Sequence, residues 1–282
     1  MKDGVRSTAW PVAVLGAGNL GSAIARGIVR SGFREPEEVH LTSLEPATLA
    51  RFADRGHPTG RDNAAAAGAA RILVVSVQPA DVRALFAELG PALDPERHTV
   101  VSTVAGVPLE RLRRFTGPGV PIVRAMPNLG IQTLNSMTCL ASEPESEAAL
   151  AEVETLFRGM GETVRIGEGQ MNAAVALCAS GVAFFLRAIR GAVQGGVEIG
   201  FHADQATRMA AQVAKGAGDL LLASQGHPEV EIDQVTTPAG CTIAGLNEME
   251  RMGFSAALAA GVVAAAARVE TLAPSGEQDT GG

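Results

Sequence analysis

Residues 12 to 28 read Val12-Ala-Val-Leu-Gly16-Ala-Gly18-Asn-Leu-Gly21-Ser-Ala-Ile-Ala-Arg-Gly-Ile28. The first four are an apolar run of strand length, and an apolar helical pattern follows the glycines. In such a turn Gly16 permits the sharp bend, Gly18 leaves room for a pyrophosphate, and Gly21 lets the helix pack close to the strand. The N–H groups at the start of the helix then face the phosphates. The stretch therefore predicts a dinucleotide-binding strand, turn and helix.

The composition indicates a globular chain with an acidic balance. At 282 residues, of which 46% are hydrophobic and 19% charged, the chain is long enough for two domains. A formal net charge of -7 argues against a nucleic-acid partner, which needs a basic surface. The apolar stretch at 256–269 is too short to cross a bilayer, and no apolar segment precedes the first strand. We therefore expect no membrane partner and no secretory signal.

The cysteines give no pattern of a disulfide framework or a metal site. Cys139, Cys178 and Cys241 are widely spaced, and no Cys-x-x-Cys or Cys/His cluster occurs. We expect no bound metal, and free thiols suit a reducing cytoplasm.

Strands and helices alternate up to about residue 166, which is typical of a doubly wound parallel sheet with right-handed crossovers. Beyond residue 167 the patterns predict helices only, at 170–197, 203–224, 241–252 and 255–272. The predicted fold class is α/β, with an N-terminal Rossmann-like doubly wound sheet followed by an all-α C-terminal dimerisation domain. The predicted divisions are a dinucleotide-binding domain at 1–166, an all-helical substrate and dimerisation domain at 167–272, and a disordered tail at 273–282.

The dimerisation prediction comes from the helix expected at 170–197. Its first half carries apolar side chains on every side. A soluble helix of this kind has to be buried all round. Because a small helical domain can hardly bury it alone, we expect a second copy of the chain to cover it.

Few side chains could serve as a general acid or base. The lysines are Lys2 and Lys215, the five histidines lie at element ends or in loops, and tyrosine is absent. Hydride transfer from a nicotinamide to an already protonated imine needs little proton catalysis, because the iminium ion is itself electrophilic. An alternative is a hydroxyacid dehydrogenase with Lys215 as its acid or base, although Lys215 fits a solvated helix position better.

A second dense stretch, residues 235–246, reads Val-Thr-Thr-Pro-Ala-Gly-Cys-Thr-Ile-Ala-Gly-Leu. It is a turn rich in threonine, proline and glycine that enters a helix. The free N–H groups and the Thr242 hydroxyl would form a carboxylate-binding helix start. The spacing alone equally fits simple N-capping by Thr237 or Thr242.

Several blocks can be compared with known families. They are Gly-Ala-Gly-Asn-Leu at 16–20, Val-Gln-Pro at 77–79, Ser-Thr-Val-Ala-Gly-Val at 102–107, Arg-Ala-Met-Pro-Asn at 124–128, Ala-Ser-Gly at 179–181, His-Pro at 227–228, and residues 237–246 quoted above. With these blocks the chain resembles the pyrroline-5-carboxylate reductase family from about residue 12 to 272. The resemblance implies NAD(P)H-dependent reduction of a cyclic imino acid, 1-pyrroline-5-carboxylate, to L-proline. It also implies a helical domain that interlocks two subunits, often with dimers assembled into a decamer.

The resemblance also implies site residues. The family's cofactor contacts fall on Gly16, Ala17, Gly18, Asn19, Leu20, Gly21, Ser43, Asn63, Val77, Gln78, Pro79 and Ala105. Its substrate contacts fall on Glu168, Thr237, Gly240, Cys241 and Thr242. Thr242 is the candidate catalytic residue, because its equivalent bonds the ring-nitrogen region. Without the resemblance, Glu168 would be interpreted as an acidic residue at a helix start.

The departures from the family pattern concentrate at the substrate end. The family usually has Lys at Gln78, Thr-Pro at 129–130, Ser-Gly-Ser-Gly-Pro-Ala at 178–183 and Gly-Gly-Thr-Thr at 239–242. These departures predict a substituted or larger cyclic imino acid as an alternative substrate. They also leave open a non-catalytic or regulatory NAD(P)-binding paralogue.

The sequence is ambiguous on cofactor preference. Glu45 follows the second strand and could bond the ribose 2′-OH, which would favour NADH. Thr42 and Ser43 could instead bond a 2′-phosphate, and Arg51 could reach back to it. Because the family most often uses NADPH, we expect NADPH, with NADH as the alternative.

Overall fold

The computed structural model describes residues 11–271, which divide into two compact units. The first contains the described residues up to Ser180 and those from Ala265 onward, and the second is Gly181–Ala264. The tail predicted at 273–282 lies outside the described residues, as does Lys2.

The first unit is built on an eight-stranded sheet with the strand order β3-β2-β1-β4-β5-β6-β7-β8. All neighbouring strands are parallel except β6 and β7, which are antiparallel. The chain order reverses at β1, which has β2 on one side and β4 on the other, so a ligand crevice is expected at the carboxyl ends of these strands. The strands are Val12–Leu15 (β1), Val39–Thr42 (β2), Thr59–Gly60 (β3), Ile72–Val75 (β4), Thr99–Ser102 (β5), Ile122–Met126 (β6), Ser136–Ser142 (β7) and Gly161–Arg165 (β8).

Helices cover both faces of this sheet. Side chains of β1 alternate between two core clusters, with Val12 and Val14 in one and Ala13 and Leu15 in the other. This two-sided burial confirms the predicted doubly wound sheet. The helices of the first unit are Asn19–Arg30 (α1), Pro46–Ala53 (α2), Asn63–Gly68 (α3), Val82–Leu89 (α4), Leu109–Thr116 (α5), Glu147–Arg158 (α6) and Met171–Ala174 (α7).

Two elements at the edge of the sheet were not predicted. β3 is two residues long, too short for an alternating pattern. α3 reads Asn-Ala-Ala-Ala-Ala-Gly, which has no apolar periodicity. The apolar runs at 72–77 and 99–104 predict two longer strands, but β4 and β5 end at Val75 and Ser102. Residues 76–77 and 103–104 therefore belong to the loops that follow these strands.

The second unit is helical throughout its described residues. The helices are Gly181–Glu198 (α8), Ala203–Ser224 (α9), Pro228–Gln234 (α10), Cys241–Arg251 (α11) and Phe254–Glu270 (α12), the last of which continues into residues of the first unit. The single helix predicted at 170–197 is divided by a π-helical turn, Val175–Ala179, between α7 and α8.

The segment before α8 packs with the sheet. Met171, Ala174 and Val175 form a cluster with Met126 of β6 and Ala141 of β7. The division by compactness therefore falls at 180/181, whereas the predicted domain boundary lies at 166/167.

Large apolar side chains remain exposed on the helical unit. Phe185 and Leu186 of α8 are 62% and 58% exposed. By length and composition alone, Glu168–Glu198 is long enough to cross a membrane, and its most apolar 18-residue window has a mean hydropathy of 1.7. The helices α11 and α12 would form a second candidate only as one span bent by 50°. The apolar stretch at 256–269 lies within α12, the second helix of that bent pair.

Candidate functional site

The glycine turn after β1 is shaped by two kinds of constraint. A Cβ atom on Gly21 would lie 2.2 Å from the Gly16 carbonyl oxygen, so the packing of α1 on the turn requires glycine there. A Cβ on Gly18 would meet no atom within 4 Å. Gly18 also caps α1 without any side-chain hydrogen bond. The turn thus presents helix N–H groups beside open space, which is the cradle that a pyrophosphate needs.

Thr42, at the end of β2, fixes this turn in place. Its carbonyl oxygen accepts a hydrogen bond from Ala17 N at 2.7 Å, and its hydroxyl accepts one from Gly16 N at 3.2 Å. The same hydroxyl donates to Asn63 Oδ1 at 2.6 Å. The backbone N–H and side-chain amide of Asn63 both donate to the Glu88 carboxylate at 2.7 Å. Asn63, predicted as a cofactor contact, therefore ties together β2, α3 and α4.

A cavity of about 230 Å³ opens at this edge of the sheet. It brings together four predicted cofactor residues, Gly16, Ser43, Asn63 and Val77, and adds three charged residues that the sequence analysis missed. Of these, Arg61 could have been suspected, because it lies two residues before Asn63, a predicted cofactor contact. Its place at the cavity depends on β3, which the sequence did not predict. The cavity is lined by Gly16, Thr42, Ser43, Leu44, Arg61, Asn63, Val77, Asp81, Ala84, Leu85 and Glu88.

The remaining predicted cofactor positions lie around the turn and at the ends of other strands. Ala17, Asn19, Leu20 and Gly21 form the turn and the first residues of α1. Gln78 and Pro79 begin a short 3₁₀ turn beyond β4, and Ala105 packs against the cluster that contains Met126. None of these last three lines the cavity beside Ser43.

The two side chains predicted to decide cofactor preference do not line this cavity. The Glu45 carboxylate accepts a hydrogen bond from the Thr48 hydroxyl at 2.7 Å, within the first turn of α2. Arg51 lies over the Phe52 ring, 5.7 Å from its centroid, and contacts Thr48. Arg51, which the sequence offers as a residue that could reach back to a 2′-phosphate, thus contacts Thr48 and Phe52 in this structure, and the cationic group that lines the cavity is Arg61.

Glu168 lies in the first unit and is engaged within it. Its carboxylate accepts hydrogen bonds from Arg124 Nη1 at 2.7 Å and from Leu109 N at 3.0 Å. The Arg124 side chain is 2% exposed, and its Nε and Nη2 atoms have no hydrogen-bond partner among residues 11–271. Glu168 thus neutralises a buried cation and ties β6 to α5. Its predicted contact with substrate stays a prediction.

A pair of thiols lies beside the π-helical turn. Cys139 Sγ of β7 and Cys178 Sγ are 3.6 Å apart. The hydrogen bond from Cys139 lowers the pKa of Cys178 to about 7, while the same bond and burial raise the pKa of Cys139. The Cys178 carbonyl oxygen accepts a hydrogen bond from Asn128 Nδ2 at 3.0 Å. Spacing in the sequence gave no sign of this pair.

The predicted substrate residues other than Glu168 lie in the second unit, at the start of α11. Gly240 N donates to the Thr237 carbonyl oxygen at 3.0 Å, which closes a turn in which Ala239 has a φ of +58°. Gly240 caps α11 without a side-chain hydrogen bond. The N–H groups of Cys241 and Thr242 therefore begin the helix with no side chain capping them, so the simple N-capping alternative is not realised. Such a helix start suits a carboxylate.

Lys215, the acid or base of the dehydrogenase alternative, lies on α9. It forms an exposed i,i+4 ion pair with Asp219. In the described part of the chain, no three His, Cys, Asp or Glu side chains are grouped so that they could hold a metal ion.

Two protein-family models match the chain. The model for NADP oxidoreductase coenzyme F420-dependent matches residues 11–106, and the model for pyrroline-5-carboxylate reductase dimerisation matches residues 168–272. Among solved structures, pyrroline carboxylate reductase from Plasmodium falciparum with NADP bound has a TM-score of 0.84 at 22% identity, covering 96% of this chain and 100% of that one. At that identity the likeness shows the fold, a Rossmann-type sheet with a C-terminal helical domain.

Curated relatives are more similar in sequence. Pyrroline-5-carboxylate reductase 1 of Dictyostelium discoideum is 44% identical over 273 residues, which cover 93% of this chain and 49% of that protein. This chain thus spans about half the length of that relative. Pyrroline-5-carboxylate reductase 2 of the same organism is 42% identical over 271 residues, which cover 90% of both chains. On this similarity along nearly its whole length, the chain belongs to the pyrroline-5-carboxylate reductase family.

Proposed function

We propose that this protein is an NADPH-dependent reductase that converts 1-pyrroline-5-carboxylate to L-proline. The observation that carries the proposal is the start of α11, where Thr242 and uncapped N–H groups form a carboxylate site in a chain of this family. The cofactor turn in the first unit and the scarcity of acid and base groups support it.

The first unit has the features that a dinucleotide requires. Space beside Gly18 and the N–H groups of α1 suit the pyrophosphate, and the cavity at Ser43 suits the adenosine ribose. The family model for NADP oxidoreductases and the NADP bound to the Plasmodium falciparum protein support NADPH. When bound, the nicotinamide supplies the hydride.

The residues at the start of α11 bind the substrate and orient its C=N bond. The positive end of α11 holds the carboxylate, and the Thr242 hydroxyl accepts a hydrogen bond from the ring N–H. Hydride adds to the carbon of the protonated C=N bond, and the π electron pair moves to nitrogen and cancels its positive charge. The product is a neutral secondary amine, so no side chain has to transfer a proton in this step. This balance explains how the reaction proceeds without a lysine or tyrosine at the site.

We further propose that the protein works as a homodimer in the cytoplasm, with a decamer as a higher assembly. The exposed Phe185 and Leu186 of α8 and the match to a dimerisation model at residues 168–272 support a second copy as the cover of the apolar face. Native mass spectrometry without detergent gives the assembly. A protein that stays monomeric, or that sediments only with lipid vesicles, would contradict the dimer and favour a membrane surface.

The test of function is a screen of cyclic imino acids of different ring size and substitution, with NADPH oxidation followed at about 340 nm. We expect turnover of 1-pyrroline-5-carboxylate. Thr242→Ala should lower kcat/KM by more than about tenfold, a loss of about 1.4 kcal/mol in transition-state binding. Thr242→Ser, which keeps the hydroxyl, is the matched control and should retain most of the activity.

Other outcomes separate the alternatives. If only a larger or substituted cyclic imino acid is turned over, the proposed substrate is wrong but the proposed reaction, imine reduction, stands. Tight NADP⁺ binding with no imine reduced would favour a non-catalytic or regulatory paralogue. Hydroxyacid oxidation that Lys215→Ala abolishes would favour the dehydrogenase, whereas an imine reductase should be almost unaffected by that change.

A further inference from the structure

We propose that Arg61, together with Ser43, holds the 2′-phosphate of NADPH and sets the preference of this protein for NADPH over NADH. The inference rests on the proposed function only in that the cofactor is a nicotinamide dinucleotide.

The sheet register places Arg61 beside the loop that receives the adenosine ribose. β3 pairs with β2 so that Gly60 is the partner of Thr42, and Ser43 N donates to the Gly60 carbonyl oxygen at 3.2 Å. Arg61, the next residue, therefore follows β3 at the carboxyl end of the sheet. Its Nη2 atom donates to the Leu44 carbonyl oxygen at 3.2 Å, which holds the guanidinium against this loop. This order places Arg61 and Ser43 at the wall of the same cavity.

The chemistry of these two side chains fits a phosphate. A guanidinium has five N–H donors in a fixed fork, which can bind two phosphate oxygens at once. Arg61 forms no ion pair within residues 11–271, so its charge is available to a ligand. The Ser43 hydroxyl accepts a hydrogen bond from Glu45 N at 3.1 Å, which leaves its own hydrogen free to donate.

The carboxylates near the cavity must be weighed against this assignment, because a free carboxylate would favour the ribose 2′-OH of NADH. Glu45 accepts the Thr48 hydroxyl hydrogen and lines no part of the cavity. Both oxygens of Glu88 accept hydrogen bonds from Asn63. Asp81 also lines the cavity and begins α4 as its N-terminal flanking residue. None of these three carboxylates forms an ion pair with Arg61 within the described residues, so the guanidinium charge stays available to a 2′-phosphate.

The experiment is isothermal titration calorimetry on the full chain, with NADP⁺ and NAD⁺ as ligands. Adenosine 2′,5′-bisphosphate and AMP serve as short probes that differ only in the 2′-phosphate. Arg61→Ala should weaken NADP⁺ and the bisphosphate by at least about tenfold and leave NAD⁺ and AMP within about twofold. Arg61→Lys keeps the positive charge but not the forked donors of the guanidinium, so its affinity for NADP⁺ should lie between those of the unchanged protein and Arg61→Ala. Arg51→Ala is the matched control, since Arg51 is the other arginine near the loop, and should change neither.

The proposal is overturned if Arg61→Ala weakens NADP⁺ and NAD⁺ equally, if Arg51→Ala causes the selective loss, or if the unchanged protein binds NAD⁺ as tightly as NADP⁺. Arg61→Gln keeps a donor for the Leu44 carbonyl oxygen, and its melting temperature checks that the loop is intact. Calorimetry measures cofactor binding and needs no turnover, so it tests the role of Arg61 even if the protein reduces no imine. Unchanged selectivity, conversely, leaves the proposed reduction standing.

Discussion

The starts of α1 and α11 offer the same chemistry but are built in different ways. Each helix is preceded by a glycine that caps it without a side-chain hydrogen bond, so each presents free N–H groups to an anion. The turn before α1 is held by distant parts of the chain, because Gly16 and Ala17 donate hydrogen bonds to Thr42 and a Cβ atom on Gly16 would collide with Val77. The turn before α11 is held by its own residues, through the Gly240 N to Thr237 O hydrogen bond.

The difference extends to burial. Most of the first turns of α1 are buried between the sheet and the core, whereas α11 has no buried residue within its own chain. A site held by a sheet is rigid and tolerates few substitutions, while a site held by a local turn depends on a few neighbouring residues. We therefore expect substitutions in the turn before α1 to cost more stability than substitutions in the turn before α11.

The largest expected effect tests the rigid turn with two glycines. Gly21→Ala places a methyl group 2.2 Å from a backbone oxygen and should cost about 3 kcal/mol or more of unfolding free energy. Gly18→Ala meets no protein atom and should leave stability within about 0.5 kcal/mol, yet weaken NADP⁺ by at least about tenfold. Chemical denaturation and calorimetry measure the two quantities. Equal effects of the two variants on stability would show that Gly18 is also a packing position.

A smaller effect concerns the paired thiols Cys139 and Cys178 of the first unit. Because Cys139 lowers the pKa of Cys178 to about 7, alkylation of Cys178 by iodoacetamide should accelerate as pH rises through about 7. At neutral pH it should react about tenfold faster than an ordinary thiol, whose pKa is about 8.5. Cys139→Ala should shift the midpoint upward and remove this advantage. Peptide mass spectrometry in a Cys241→Ser background follows the reaction. If Cys139→Ala leaves the pH midpoint of Cys178 alkylation unchanged, Cys139 does not lower the pKa of Cys178.

The smallest expected effect tests the local turn. Ala239 has a left-handed backbone with a φ of +58°, which is costly for a residue with a Cβ atom. Ala239→Gly relieves this strain but adds entropy to the unfolded chain, so stability should rise by no more than about 1 kcal/mol. Ala244→Gly, within α11, is the control and should lower stability by about 1 kcal/mol. A loss from Ala239→Gly in denaturant unfolding would show that the turn has no strain to relieve.

Much of the first unit could be predicted because its signals are local and repeated. β1 and β4 are continuous apolar runs, as strands buried on both faces must be, and the glycine spacing marks the turn between β1 and α1. The same reasoning missed β3 and α3, since a two-residue strand and an alanine run carry no period. Because β3 was not predicted, the position of Arg61 beside the loop after β2 could not be predicted either. The cofactor preference was therefore argued from Glu45 and Arg51, which do not line the cavity.

Within one stretch of chain, the sequence by itself determined the nucleotide turn, the alternation of strands and helices, and the helix start at Thr242. Those features depend on residues that are neighbours along the chain, so spacing and residue type suffice to predict them. Only the tertiary structure decided that Arg61 lies beside Ser43, that Glu168 neutralises Arg124, and that Cys139 faces Cys178. Arg61 and Ser43 are 18 positions apart in the sequence, Glu168 and Arg124 are 44 apart, and Cys139 and Cys178 are 39 apart. Sheet register and packing bring such residues together, and one sequence alone carries no local signal of either.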